Sequence, residues 1–264
     1  MWTTAPWPTA AQLDDAYGDH YRPNGGRFSG PGDRVLRLTR SRLAARIDAI
    51  APPGAVLDVG AGDGTLLVSL RRHGRIAFGL ERGDPPLSDL PGPWAAIVFW
   101  HSLEHLPAPV TALHHAATRL APGGVLIVAI PNAESLQAHT FAERWLALDL
   151  PRHLTHASAA ALRTAVAAVG LQVERESYWR GGQVVVGWLH GLVGTLPGRP
   201  DLYNAMRRPL ARKASMTTLA TIYALLAACA LAPFAVAASA FEIMLHRSGS
   251  VYIEARSQPT GRPY

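Results

Sequence analysis

The chain has 264 residues, 48% of them hydrophobic and 17% charged, enough for one sizeable α/β core with an appended subdomain. Its single cysteine, Cys229, excludes an intrachain disulfide and fits a reducing compartment. The net charge of +6 comes almost wholly from arginine, and it would suit nucleic acid or an anionic membrane. With no zinc spacing, no RNA-binding aromatic signature and no long basic helix, no nucleic-acid partner is expected.

The opening "MWTTAPWPTAAQLDDAY" has neither a basic n-region nor a long apolar stretch, so no secretory signal is expected. Residues 1–50 read as an N-terminal lid and helix. Within them, 33–50 place Val35, Leu36, Leu38, Leu43, Ile47 and Ile50 at helical spacing, with arginines on the outer face. "APPG" ends that helix. A strand follows at 55–59, a helix at about 63–72 and a second strand at 75–81. "WAAIVFW", 94–100, reads as a fully buried strand. "PAPVTALHHAATRLAPGG" reads as a helix with a Pro-Gly stop, and "VLIVAIPN" as another buried strand. Residues 157–169 form an alanine-rich helix before the strand "LQVERESYWR". "GSVYIEARS", 249–257, alternates and can close the sheet as an antiparallel edge. Strand–helix alternation argues for a mostly parallel sheet covered on both faces.

"VLDVGAGDGTLL", 56–67, carries glycine at 60, 62 and 64 directly after a buried strand. Ligands of open parallel sheets bind beyond the carboxyl ends of the strands, where glycine lets backbone turn tightly and approach a ligand. The spacing is not G-x-G-x-x-G, and Asp58 precedes the loop. An acid there is poor for a pyrophosphate and suits a ligand with a positive amino group. A second acid, Glu81, ends strand two, where it can take ribose hydroxyls.

On these residues, and on "IVFWHSLEHLPAP", "LAPGGVLIVAIPN" and "LDLPRHLTHASAAALRTAVAAVGLQVE" in that order, the chain resembles class I S-adenosylmethionine-dependent methyltransferases. It is most similar in these motifs to the bacterial branch that includes ubiquinone O-methyltransferases. The resemblance implies an α/β Rossmann-like fold with a mostly parallel sheet, helices on both faces and an antiparallel last strand. The core is expected at 51–180 plus 249–258. Asp58 would orient the methionine amino group of S-adenosylmethionine, and Gly60, Ala61 and Gly62 would pass it with their backbone. Glu81 would hold the ribose. Trp100 and His101 would line the methionine and adenine side, and Tyr17 and Tyr21 would cover the cofactor.

The chain departs from the family in one region. About a dozen residues separate Glu81 from Trp94, too few for the usual helix and third strand. Asp84 or Asp89 would have to replace the adenine-binding acid, and one sheet edge should be exposed, calling for a partner or a covering segment.

Methyl transfer to a hydroxyl needs alignment and a base. His101, Glu104 and His105 fall at i, i+3 and i+4, one face if helical. "HSLEH" also matches H-x-x-E-H of zinc proteases, without a third ligand placed. "PRHLTH" adds His153 and His156, one turn apart if helical. His105 or His153 is the expected base, with His101, Glu104 and His156 beside them. In the ubiquinone branch the Glu-His pair shares a divalent metal with two acids, here Ala95 and His101, so no metal is assigned.

Between Lys213 and Glu242 no residue is charged. The run is long enough to cross a bilayer as a helix, roughly 40 Å, with Pro233 expected to kink or split it. Arg199, Arg207, Arg208, Arg212 and Lys213 give it a basic flank. Residues 181–248 thus read as a hydrophobic helical insertion contacting substrate, membrane or a second copy in a homodimer, and these alternatives stay open. The expected activity is O-methylation of a lipophilic acceptor (a lipid, quinone or lipid-linked molecule) by a cytoplasmic protein, peripheral or monotopic on the inner face of the membrane. A soluble sugar or natural product as acceptor, and a non-catalytic cofactor-binding scaffold, are the alternatives.

Overall fold

The computed structural model describes residues 1–18, 31–179, 182–209 and 215–257. In chain order these form β1 (Trp2–Thr3), α1 (Ala10–Ala16), α2 (Pro31–Ile50), β2 (Val56–Val59), α3 (Thr65–Arg72), β3 (Ala77–Leu80), β4 (Trp94–Trp100) and α4 (Pro109–Ala117). Then come β5 (Leu120–Pro131), α5 (Leu136–Phe141), β6 (Thr155–His156), α6 (Ala159–Ala168) and β7 (Leu171–Ser177). Three helices of the insertion follow, α7 (Gly182–Gly194), α8 (Leu202–Met206) and α9 (Thr218–Met244), before the last strand, β8 (Ser250–Ser257).

The main sheet has the order β3-β2-β4-β5-β8-β7. β3, β2, β4 and β5 are mutually parallel, and β8 runs antiparallel to both its neighbours. Successive side chains of a strand point to opposite faces, which divides the core in two. Ile97 and Phe99 of β4 meet Leu113 of α4 and Leu162 and Val166 of α6. Ala96 and Val98 meet Leu43 and Ile47 of α2 and Leu66 and Leu70 of α3.

The expected open edge is β3, beside which Ile76 and Phe78 remain exposed. On the α4 side, the short connection after β3 supplies its own covering. Leu87 is buried with Trp94 and Leu113, and the Arg119 guanidinium ties the segment down by donating to the Ser88 and Leu90 carbonyls. One leucine thus stands where a whole helix would otherwise pack.

Four local expectations are corrected. "HSLEH" is not an α-helix: it is one 3-10 turn over Leu103–His105, preceded by His101 at φ 53°. "PRHLTH" is not helical either, because Thr155 and His156 pair as β6 with the N-terminal β1. The helix after β4 ends by Ala117, and the Pro-Gly stretch lies inside β5. Pro233 does not split α9. It lacks the N–H that would bond the Cys229 carbonyl, but it lies on the exposed side and the helix continues past it.

The insertion hangs from the carboxyl-end rim of the sheet: α7 follows the end of β7, and α9 feeds the start of β8, opposite Pro131 at the end of β5. Its buried anchor is Glu242. Gln137 donates to this carboxylate from its backbone N–H (3.2 Å) and side chain (2.9 Å), and Trp188 Nε1 donates at 2.7 Å. Three helices, α5, α7 and α9, are joined at one acid.

Candidate active site

The carboxyl ends of β3, β2, β4 and β5 lie side by side, and they bring forward Glu81, the glycine loop, His101 and Asn132 in turn. Gly60, Gly62 and Gly64 have φ of 79°, 69° and 70°, the left-handed region that glycine enters without cost. Gly60 is also held by close approach, since a Cβ there would lie 2.5 Å from Ser102 Cβ. Ser102 Oγ in turn donates to the Val59 carbonyl, locking the loop after β4 against the loop after β2.

Asp58 is buried in β2, in register with Gly79 of β3 and Val98 of β4. The half-buried Glu81 turns back to the loop, where its carboxylate accepts the Gly62 N–H. These residues fit the expected S-adenosylmethionine: one acid beneath the glycine loop, a second at its mouth, and backbone without Cβ atoms between. Asp84 Oδ2 accepts the Glu81 N–H at 2.7 Å, so that acid closes the turn after β3, and Asp89 accepts from Ser88 Oγ at 2.9 Å. Trp100 lies under the Arg40 guanidinium, 4.8 Å from the ring centroid, and edge-on to His101 and Tyr252.

Farther along the rim, ligand atoms of Glu104, His105 and His153 lie within 4.8 Å of one another. Such a cluster could also hold a cation, although the sequence assigns none. His101 Nδ1 stands 3.4 Å from Glu104 Oε1, and His153 Nε2 stands 3.9 Å from the same oxygen. Burial pushes the Glu104 carboxyl up, but the imidazoles of His101, His153 and His105 outweigh it and hold the acid below its ordinary range. Burial lowers His153 to about 4 against the pull of Glu104 and Asp149. Burial also lowers the half-buried His156, by more than the Glu104 carboxylate restores.

Tautomers follow from the partners. His153 Nδ1 faces the Ala147 carbonyl at 2.8 Å, and His105 Nδ1 faces the Arg152 carbonyl at 3.0 Å. A carbonyl only accepts, so each Nδ1 carries the proton and each Nε2 keeps the lone pair when the ring is neutral.

The N-terminal residues lie over this cluster. Tyr17 OH is 3.0 Å from His105 Nδ1, and its ring lies 4.9 Å from the Arg82 guanidinium. Thr4 Oγ1 donates to the His153 carbonyl at 2.6 Å and meets His156 Nε2 at 3.2 Å. The buried Arg152 donates to the Ala16 carbonyl at 3.0 Å and forks onto Asp149. Tyr21 lies outside the described residues. Thr4, Ser102, Asp149 and Arg152 were not singled out by the sequence; Arg152 lies within "PRHLTH" and Asp149 just before it, the one hint available.

Comparison with curated proteins gives no match. Among solved structures, a methyltransferase from Archaeoglobus fulgidus aligns with a TM-score of 0.51 at 15% identity, covering 83% of this chain and 93% of that one. The CcbJ methyltransferase from Streptomyces caelestis aligns with a TM-score of 0.49 at 14% identity, covering 87% and 97%. The first shows the shared fold. The family model described as a methyltransferase domain matches residues 31–176, more than half of the chain, including the glycine loop, Glu81 and the histidine cluster. The chain belongs to this family and is an S-adenosylmethionine-dependent methyltransferase.

Proposed function

We propose that the protein transfers a methyl group to a hydroxyl of a lipophilic acceptor, with His105 as base. The observation that carries this reading is the placement of the Glu104–His105–His153 cluster on the rim shared by the glycine loop and the apolar insertion.

The cofactor supplies an electrophilic methyl group on sulfur; the chain supplies alignment and proton acceptance. Asp58 and the glycine loop hold the donor end in place. His105 is half-buried, and its Nε2 lone pair is free to take a proton from the acceptor hydroxyl while Arg152 and Tyr17 fix the ring through Nδ1. His153 is buried and held near 4, too acidic to be an effective base at neutral pH, and it packs edge-on against His105 as a positioning residue. Glu104 then favours the imidazolium that forms. The same rim carries α5, α7 and α9, which pack on one another through a buried apolar and aromatic cluster of Phe141, Trp145 and Trp188; an apolar acceptor is the kind that this side of the rim favours.

The test is mass spectrometry of lipid extracts incubated with the protein and isotopically labelled methyl donor. A labelled methyl ether on a lipid-soluble product is expected. Label found only on polar metabolites overturns the lipophilic acceptor.

A further inference from the structure

Helix α9 is arranged the opposite way from a helix of a water-facing domain. Its buried residues are Ala224, Ala227, Ala235, Ser239 and Glu242, small or polar. Its outward residues are large and apolar: Leu219, Leu226, Phe234 and Met244 are 79%, 65%, 67% and 77% exposed. Helix α2 shows the ordinary order, with Leu43, Ala44 and Ile47 buried and Arg34, Arg37 and Arg42 exposed. Small residues where helices touch and large apolar ones pointing away is the distribution found in lipid, where the surroundings are as apolar as leucine. Helix α7 shares the close approach alone: a Cβ on Gly187 would strike Gln137, and one on Gly191 would strike Phe141.

A core helix can be as apolar as α9, but it is then covered. Here an 18-residue window has a mean hydropathy of 2.1, and only 17% of it is buried. Position excludes a leader sequence, since the helix starts at Thr218. One side of α9 is occupied along its length. Ala224 and Ala227 pack on Val193 and Leu202, and Ala235 packs on Val184 and Trp188. Its C-terminal end is tied by Glu242 and by the Leu136 N–H, which donates to the Arg247 carbonyl. A helix held sideways in this way is placed to lie in an interface, not to cross it. The sequence leading into it is basic. From Leu202 to Phe241 there is no acid, while Arg208, Arg212 and Lys213 precede the helix; Arg207 beside them is buried. Arg212 and Lys213 lie outside the described residues.

We propose that the outward face of α9 docks into an anionic lipid surface, lying at the boundary of headgroups and acyl chains. Because α9 ends at the rim that carries the histidine cluster, docking sets the mouth of the site against the bilayer. The docking goes beyond the proposed reaction and is tested without turnover.

Cys229, the single cysteine, is exposed on α9 and gives a natural probe. An environment-sensitive fluorophore is attached there in the full chain, and vesicles of phosphatidylglycerol and phosphatidylcholine are added. The expected result is a blue shift, quenching by acyl-chain nitroxide lipid and protection from iodide. Leu226→Glu and Phe234→Glu, both at exposed positions, should each lower the fraction sedimenting with vesicles about tenfold while S-adenosylmethionine still raises the melting temperature. A label that stays open to iodide, with the wild type in the supernatant, overturns the proposal. So does a label buried before vesicles are added in a dimer that Phe234→Glu dissociates, which makes a second copy the occupant. Equal sedimentation with pure phosphatidylcholine overturns the anionic assignment.

Discussion

His105 and His153 meet edge to face, ring centroids 4.6 Å apart at 74°, in one cluster with the buried carboxylate of Glu104. Only His105 is open enough to touch an acceptor. His105→Ala should lower single-turnover methyl transfer about 10²–10⁴-fold with cofactor affinity nearly intact. His153→Ala should act less, by loosening the ring it supports, and it should raise KM as well as lower kcat. Equal, undiminished turnover in both variants would assign the step to alignment alone.

The buried member of this pair, His153, makes stability depend on pH. His153 falls from 6.5 to about 4 on folding, so between those values the unfolded chain binds more protons than the folded one. The sign follows: the contribution is complete above pH 6.5 and is lost as pH falls toward 4, about 3 kcal/mol in all. Glu104 and Asp149, both held below the ordinary carboxylate range, add losses at still lower pH. Urea midpoints should therefore drop between pH 7 and 5, and His153→Gln should flatten that part of the curve.

Glu81 stands at the mouth of the glycine loop with its carboxylate on the Gly62 N–H. Glu81→Ala should weaken S-adenosylmethionine binding about 10- to 100-fold, the usual cost of losing a charged hydrogen-bonding partner. Titration calorimetry checks it, and unchanged affinity removes the residue from the cofactor site.

Two substitutions far from each other test the frame. Gly60→Ala combines a left-handed φ of 79° with a Cβ 2.5 Å from Ser102 Cβ, and it should cost about 2–4 kcal/mol of stability. Glu242→Ala strands the buried donors of Gln137 and Trp188, and it should cost a similar amount, about 2–4 kcal/mol. Denaturant unfolding measures both.

The parts of this fold written in adjacent residues were legible in the sequence. β4 announces itself by an unbroken apolar run, and β2 with its glycine loop by apolar residues around one acid and glycine spacing within a few positions. Glu81 was found because it ends its own strand. The cluster was seen only as two separate histidine-bearing motifs, because Glu104 and His153 are brought together by the tertiary fold and not by any local period. Helical spacing even suggested the wrong geometry for both, since a 3-10 turn and a two-residue strand leave no periodic trace. β1 was missed for the same reason: Trp2 and Thr3 find their partner at Thr155 and His156. Leu87 could not be read as a substitute for a helix, because its value lies in the space that the helix leaves. The orientation of α9 needed the structure, as an alanine-rich run without charges shows no preferred face.

The position of β8 sets the order in which this protein can be built. It lies between β5 and β7, pairing Ala255 with both Leu126 and Val173, yet it follows the whole insertion in the chain. β5 and β7 are joined only through it, so the sheet stays in two pieces while α7, α8 and α9 are synthesised. Such long-range pairing is slow to form, and the chain exposes apolar surface while it waits. The greasy helix therefore emerges from the ribosome, and can meet a surface, before the sheet that carries it is sealed.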